Sequence, residues 1–103
     1  MNVKEAKVEL ARVVRAYRCK PYEFWESRIG RGPIALQVTS DTGSEYQVEI
    51  ESFWDGQAGG SIRVLLSIDD GGWRAFCPLS KTLIIPKSRT QVSRNAQTEI
   101  GGI

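Results

Sequence analysis

Glu49, Glu51 and Asp69 are the residues whose types and spacing come nearest to a chemical site. In an extended segment Glu49 and Glu51 point the same way, about 6.5–7 Å apart along the strand. Asp69 ends a second alternating segment on the same side. Three carboxylates on one sheet face are a set that can hold a divalent cation for hydrolysis. Here no lysine stands beside them, and Arg63 and Arg74 fall on the same face and neutralise the group, so no metal is expected. Asp69-Asp70-Gly71-Gly72 lacks the alternating oxygen ligands and distal glutamate of a calcium loop. The chain has no histidine, which removes the commonest general base and the usual serine and cysteine triads. Cys19 and Cys77 have no evident base, and Cys77 falls in an expected buried strand. Gly30-Arg31-Gly32 and the Gly56–Gly60 stretch carry neither a Walker lysine nor a dinucleotide fingerprint. The expectation is a non-enzymatic protein without a cofactor.

Binding chemistry is better represented. Glu49, Glu51, Phe53, Arg63, Leu65, Arg74 and Phe76 are assigned to one sheet face, where aromatic and arginine anchors inside a charged rim suit association with another protein or with a second copy. The competing arrangement covers these apolar side chains with Tyr22–Trp25 or with the C-terminal tail and pairs the charges across strands. Nucleic acid is the alternative partner. Lys4, Lys7, Arg15 and Arg18 lie along one helix flank, and Arg28, Arg31, Lys87, Arg89 and Arg94 extend it into a basic strip of the kind phosphates require. The sheet face itself is acidic and lacks an aromatic RNA-binding signature.

These side chains need a frame. Asn2 to Tyr17 places Val3, Ala6, Leu10, Val13, Val14 and Tyr17 on one helical stripe, with Asn2 as N-cap and Glu5 as its capping-box partner. Glu5, Glu9 and Arg12 fall on the opposite polar flank, with Val8 and Ala11 as an apolar spot outside the stripe. Pro21 to Arg28 reads as a short helical turn carrying Tyr22, Phe24 and Trp25. Four strands follow, at Ile34–Ser40, Glu45–Phe53, Ser61–Asp69 and Trp73–Cys77. Leu83-Ile84-Ile85 reads as a short fifth strand or a core plug. In Ser61–Pro78 the period of two marks a half-buried strand, and Asp70-Gly71 has the residue types of a two-residue turn. That register sets Ile68 opposite Trp73, Leu66 opposite Ala75 and Val64 opposite Cys77, with Tyr46, Val48 and Ile50 on the same inner side. The predicted class is α+β: an amphipathic helix on a four-stranded, or five-stranded, antiparallel meander. One domain spans 1–86, with a polar tail over 87–103.

With 103 residues the chain can bury a core without disulfide or metal support. Two distant cysteines and no apolar run of membrane length lead to a cytoplasmic protein with reduced thiols and no membrane partner. The net charge of +2 is unevenly spread. Residues 1–31 hold eight Lys/Arg against four Glu, residues 32–80 two Arg against seven acids, and residues 81–103 four basic residues against Glu99. The simplest arrangement lays basic ends across an acidic sheet. The DDGGWRAF run resembles small bacterial or phage domains. In size and charge the chain is similar to immunity proteins, antitoxins and phage inhibitors, which implies a protein partner.

Overall fold

The computed structural model describes residues 2–71 and 79–87. Helix α1 (Val3–Tyr17) begins where Asn2 Oδ1 accepts the Glu5 N–H at 3.0 Å. Ala6, Leu10, Val13 and Val14 are buried as the stripe requires, whereas Val3 stays 48% exposed. Glu5 does not complete a capping box: its carboxylate accepts hydrogen bonds from Thr42 and Tyr46. Glu9, placed on the polar flank by sequence, is buried with Arg12 Nη1 3.2 Å from its carboxylate.

Helix α2 (Tyr22–Arg28) follows Pro21, whose fixed φ suits a helix entry. Trp25 is completely buried, edge-on to Phe24 at 4.9 Å and tilted against Tyr17 at 6.2 Å. The Tyr22 hydroxyl donates to the Gly60 carbonyl at 2.7 Å and ties this helix to the loop before the third strand. Tyr22 and Trp25 therefore belong to the core beneath the helices and do not cover the far side of the sheet.

The strands β1 (Ile34–Thr39), β2 (Glu45–Trp54), β3 (Ile62–Asp69) and β4 (Leu79–Ile85) lie in chain order as one antiparallel sheet. Both helices pack on one face, over β2, β3 and β4. Tyr46, Val48, Ile50, Ile62, Val64, Leu66, Ile68 and Ile85 are all buried on that inner face. The class is thus the α+β arrangement read from the sequence.

The partner of β3 differs from the sequence reading. Ile68 stands opposite Leu79, Leu66 opposite Lys81 and Val64 opposite Leu83, in place of Trp73, Ala75 and Cys77. Leu83–Ile85 is the end of β4, not a separate fifth strand. The strand expected over Trp73–Cys77 falls outside the described residues, as do Arg89, Arg94 and the rest of the expected tail beyond Lys87. The turn chemistry after β3 is real. Gly71 adopts φ +80°, and its N–H donates to the Asp69 carboxylate at 2.6 Å. This is a local Asx turn, and such a turn need not close a two-residue hairpin. In the described return strand, Leu79, Leu83 and Ile85 supply inward apolar side chains at period two.

Candidate functional site: the outer face of the sheet

Strand parity brings five of the predicted site residues together. Pairing of β2 with β3 sets Glu49 opposite Ser67, Glu51 opposite Leu65 and Phe53 opposite Arg63. Directly opposite residues share a face, and the buried residues alternate with these along both strands. Arg74 and Phe76 lie outside the described residues. The positions opposite Ser67 and Leu65 that the sequence register assigns to them belong to Ser80 and Thr82, and Arg63 faces Ile84.

Phe53 on β2, Leu65 on β3 and Ile84 on β4 are the apolar members of this face, a broken strip in which Arg63 stands directly between Phe53 and Ile84 and Leu65 lies one same-face position along. Leu65 is 37% and Ile84 49% exposed. The Arg63 guanidinium sits 5.8 Å from the centroid of the Phe53 ring, a cation–π contact between cross-strand partners. Cross-strand ion pairing does not occur here: among the described residues Glu49 and Glu51 have no salt bridge. One side of the strip is therefore acidic. Ile84 is missed by a reading that makes Leu83–Ile85 a short fifth strand or a core plug, although Leu-Ser-Lys-Thr-Leu-Ile-Ile carries the alternation that places it.

Three of the four residues of the alternative basic flank also converge. Lys7, Arg15 and Arg18 line a groove of about 560 Å³ between α1 and the start of β4, floored by Leu10, Val14 and Leu79. Lys81, projecting inward from β4, adds a fourth cation that no helix periodicity could reveal. Lys4 is exposed on the first turn and does not line it.

The strongest electrostatic coupling lies elsewhere. Hydrogen bonds from Thr42 and then Tyr46 hold the Glu5 carboxyl below its ordinary range. The Tyr46 phenol, 2.7 Å from Glu5, is pushed up to about 12, first by that bond and then by burial. This cluster joins the start of α1 to the β1–β2 hairpin and is a structural clasp. Among the described residues no group of three His, Cys, Asp or Glu side chains is placed to hold a metal ion, so Glu49, Glu51 and Asp69 share a face without forming a cage. No helix of the described residues is long and apolar enough to cross a membrane. Comparison with protein-family models, curated proteins and solved structures finds no match to this chain.

Proposed function

We propose that this chain is a non-enzymatic protein-binding module, of the immunity-protein or inhibitor type, that presents the outer face of its sheet to a partner. The observation that carries the reading is the set of Phe53, Leu65 and Ile84 beside two carboxylates that have no ion pair among the described residues, on a face that neither helix covers. Apolar anchors next to these carboxylates fit a partner with an apolar centre and a lysine- or arginine-bearing rim. Glu49 and Glu51 would steer and select; Phe53, Leu65 and Ile84 would supply the contact area. The experiment is capture from the native host, followed by reconstitution with the purified partner. Affinity should fall at least tenfold for E49K/E51K and for L65D/I84D, with the thermal midpoint nearly unmoved. Equal binding by all variants to the purified partner would place the interface elsewhere.

A second reading rests on the groove, whose rim of Lys7, Arg15, Arg18 and Lys81 suits a polyanion such as nucleic acid. It calls for retention on immobilised single- or double-stranded nucleic acid that falls steeply with salt and is lost in K7A/R15A/R18A. Retention that is absent, or unaffected by the triple change, removes it.

A further inference from the structure

We infer that β1 is a self-association edge, along which a second copy of this chain pairs antiparallel about a two-fold axis at Leu36. This interface is distinct from the outer face and stands or falls independently of it.

The argument begins with what β1 lacks. Natural sheet edges are blunted by charged side chains, proline, bulges or a covering element. Ile34-Ala35-Leu36-Gln37-Val38-Thr39 has no charge, proline or glycine, and pairs in unbroken register with β2 from end to end. No strand borders its other side among the described residues. The opposite edge, β4, carries exposed Lys81. The inner side of β1 is also incompletely covered. Ile34, Leu36 and Val38 are only half-buried, whereas their partners on β2, Ile50, Val48 and Tyr46, are buried.

The hydrogen-bond phase then selects the pairing. The Ser40 N–H donates to the Ser44 carbonyl at 2.8 Å. Paired backbone groups alternate along an antiparallel strand, so the even-numbered residues of β1 bond toward β2. The N–H and C=O groups of Ala35, Gln37 and Thr39 point outward. With Leu36 opposite Leu36, Ala35 and Gln37 of one copy exchange bonds with Gln37 and Ala35 of the other. Each Thr39 N–H meets the carbonyl of the other copy's Pro33, a residue with no N–H of its own to leave unpaired. Leu36 against Leu36 and Ile34 against Val38 become non-hydrogen-bonded pairs, the kind whose side chains approach most closely. All of them lie on the inner side, so the apolar faces of the two sheets stay aligned.

The charges at the ends fit the same register. Arg31, exposed just before β1, is set against the turn of the other copy that carries Asp41. Asp41 is 3.7 Å from Arg12 but leaves its side chain 85% exposed. The two-fold axis repeats this opposite-charge meeting at both ends of the joint.

The test is sedimentation equilibrium on the full chain across micromolar to submillimolar concentrations, with cross-linking through L36C in a C19S/C77S background. A reversible dimer is expected, with oxidation of L36C trapping it and oxidation of T39C leaving monomer. L36K places two lysines on the axis and should weaken the dimer at least tenfold. R31D should weaken it and R31D/D41R restore it, and the rescue excludes a folding defect as the cause. A monomer at every concentration overturns the proposal. So does a dimer that withstands L36K and is not trapped by L36C, because the copies would then meet on another surface.

Discussion

Leu65 and Leu66 are neighbours of one residue type on one strand, and the assignment of the binding face requires them to behave as opposites. Leu66 is wholly buried under the helices; Leu65 is 37% exposed on the outer face. Leu66→Ala removes buried carbons and leaves a hole in a packed layer, at a cost of about 2–5 kcal/mol. Leu65→Ala removes the same atoms from a site open on one side. At about 0.8 kcal/mol per fully buried methylene, scaled by partial burial and with no cavity formed, the loss is about 1–1.5 kcal/mol. Urea unfolding should separate the two midpoints with unchanged slopes. For a domain of this size each kcal/mol moves the thermal midpoint by about 4–8 °C, so the gap is easily resolved. Costs within about 0.5 kcal/mol of each other, or a larger cost at Leu65, would refute the reasoning. A one-residue slip in register would produce that inversion. So would a cover over the outer face, and either result would leave the proposed docking strip without foundation.

Other outcomes follow from the clasp and the core. Because the folded state lowers the Glu5 pKa, its contribution is present above the ordinary carboxylate range and is lost as pH falls through the lowered value. Acid titration of stability should therefore be shallower in E5Q than in the wild type. The raised Tyr46 pKa acts at the other limit: its contribution is intact below about pH 10 and fades as pH rises toward the folded value of about 12. Y46F should flatten the alkaline limb measured by thermal unfolding. Trp25 is fully buried and its indole N–H has no protein acceptor among the described residues. Trp25→Phe loses about 40 Å³ of filling, or about 1 kcal/mol at ~24 cal/mol per Å³, but also removes an unsatisfied donor that costs about 1–3 kcal/mol. Its stability should lie between that of wild type and about 2 kcal/mol above it, whereas Trp25→Ala should lose about 3–5 kcal/mol. A Phe variant as damaged as the Ala variant would show that the indole has a partner.

The legible parts of this fold are those where one physical rule dominates locally. Val64, Leu66 and Ile68 alternate with polar neighbours, and Ala6, Leu10, Val13 and Val14 recur at helical spacing; both sets are buried. Parity alone places Glu49, Glu51, Phe53, Arg63 and Leu65 on one surface, and the β2–β3 register keeps them there. What failed was non-local. Asp70-Gly71 has the residue types of a tight turn, but turn chemistry does not state how far away the return strand begins. Trp73–Cys77 and Leu79–Ile85 both alternate, and only pairing with β3 distinguishes them. The same limit hid Lys81 and Ile84. Glu5 shows it in miniature: its capping-box position is legible in the sequence, but Thr42 and Tyr46 lie 37 and 41 residues away and compete for its carboxylate.

The unlike edges of the sheet bear on how far association can go. A sheet with two neutral edges can add copies head to tail without end, which is the geometry of a filament. Here the uncharged edge is β1, and an isologous β1 joint consumes it in both copies at once. Among the described residues the outer margins of such a pair are both β4, each carrying Lys81, so further copies would meet charge and growth would stop at two. The outer faces would then form one surface with two copies of the Phe53–Leu65–Ile84 strip. A partner that is itself two-fold symmetric could bind both strips at once and gain avidity without any new contact.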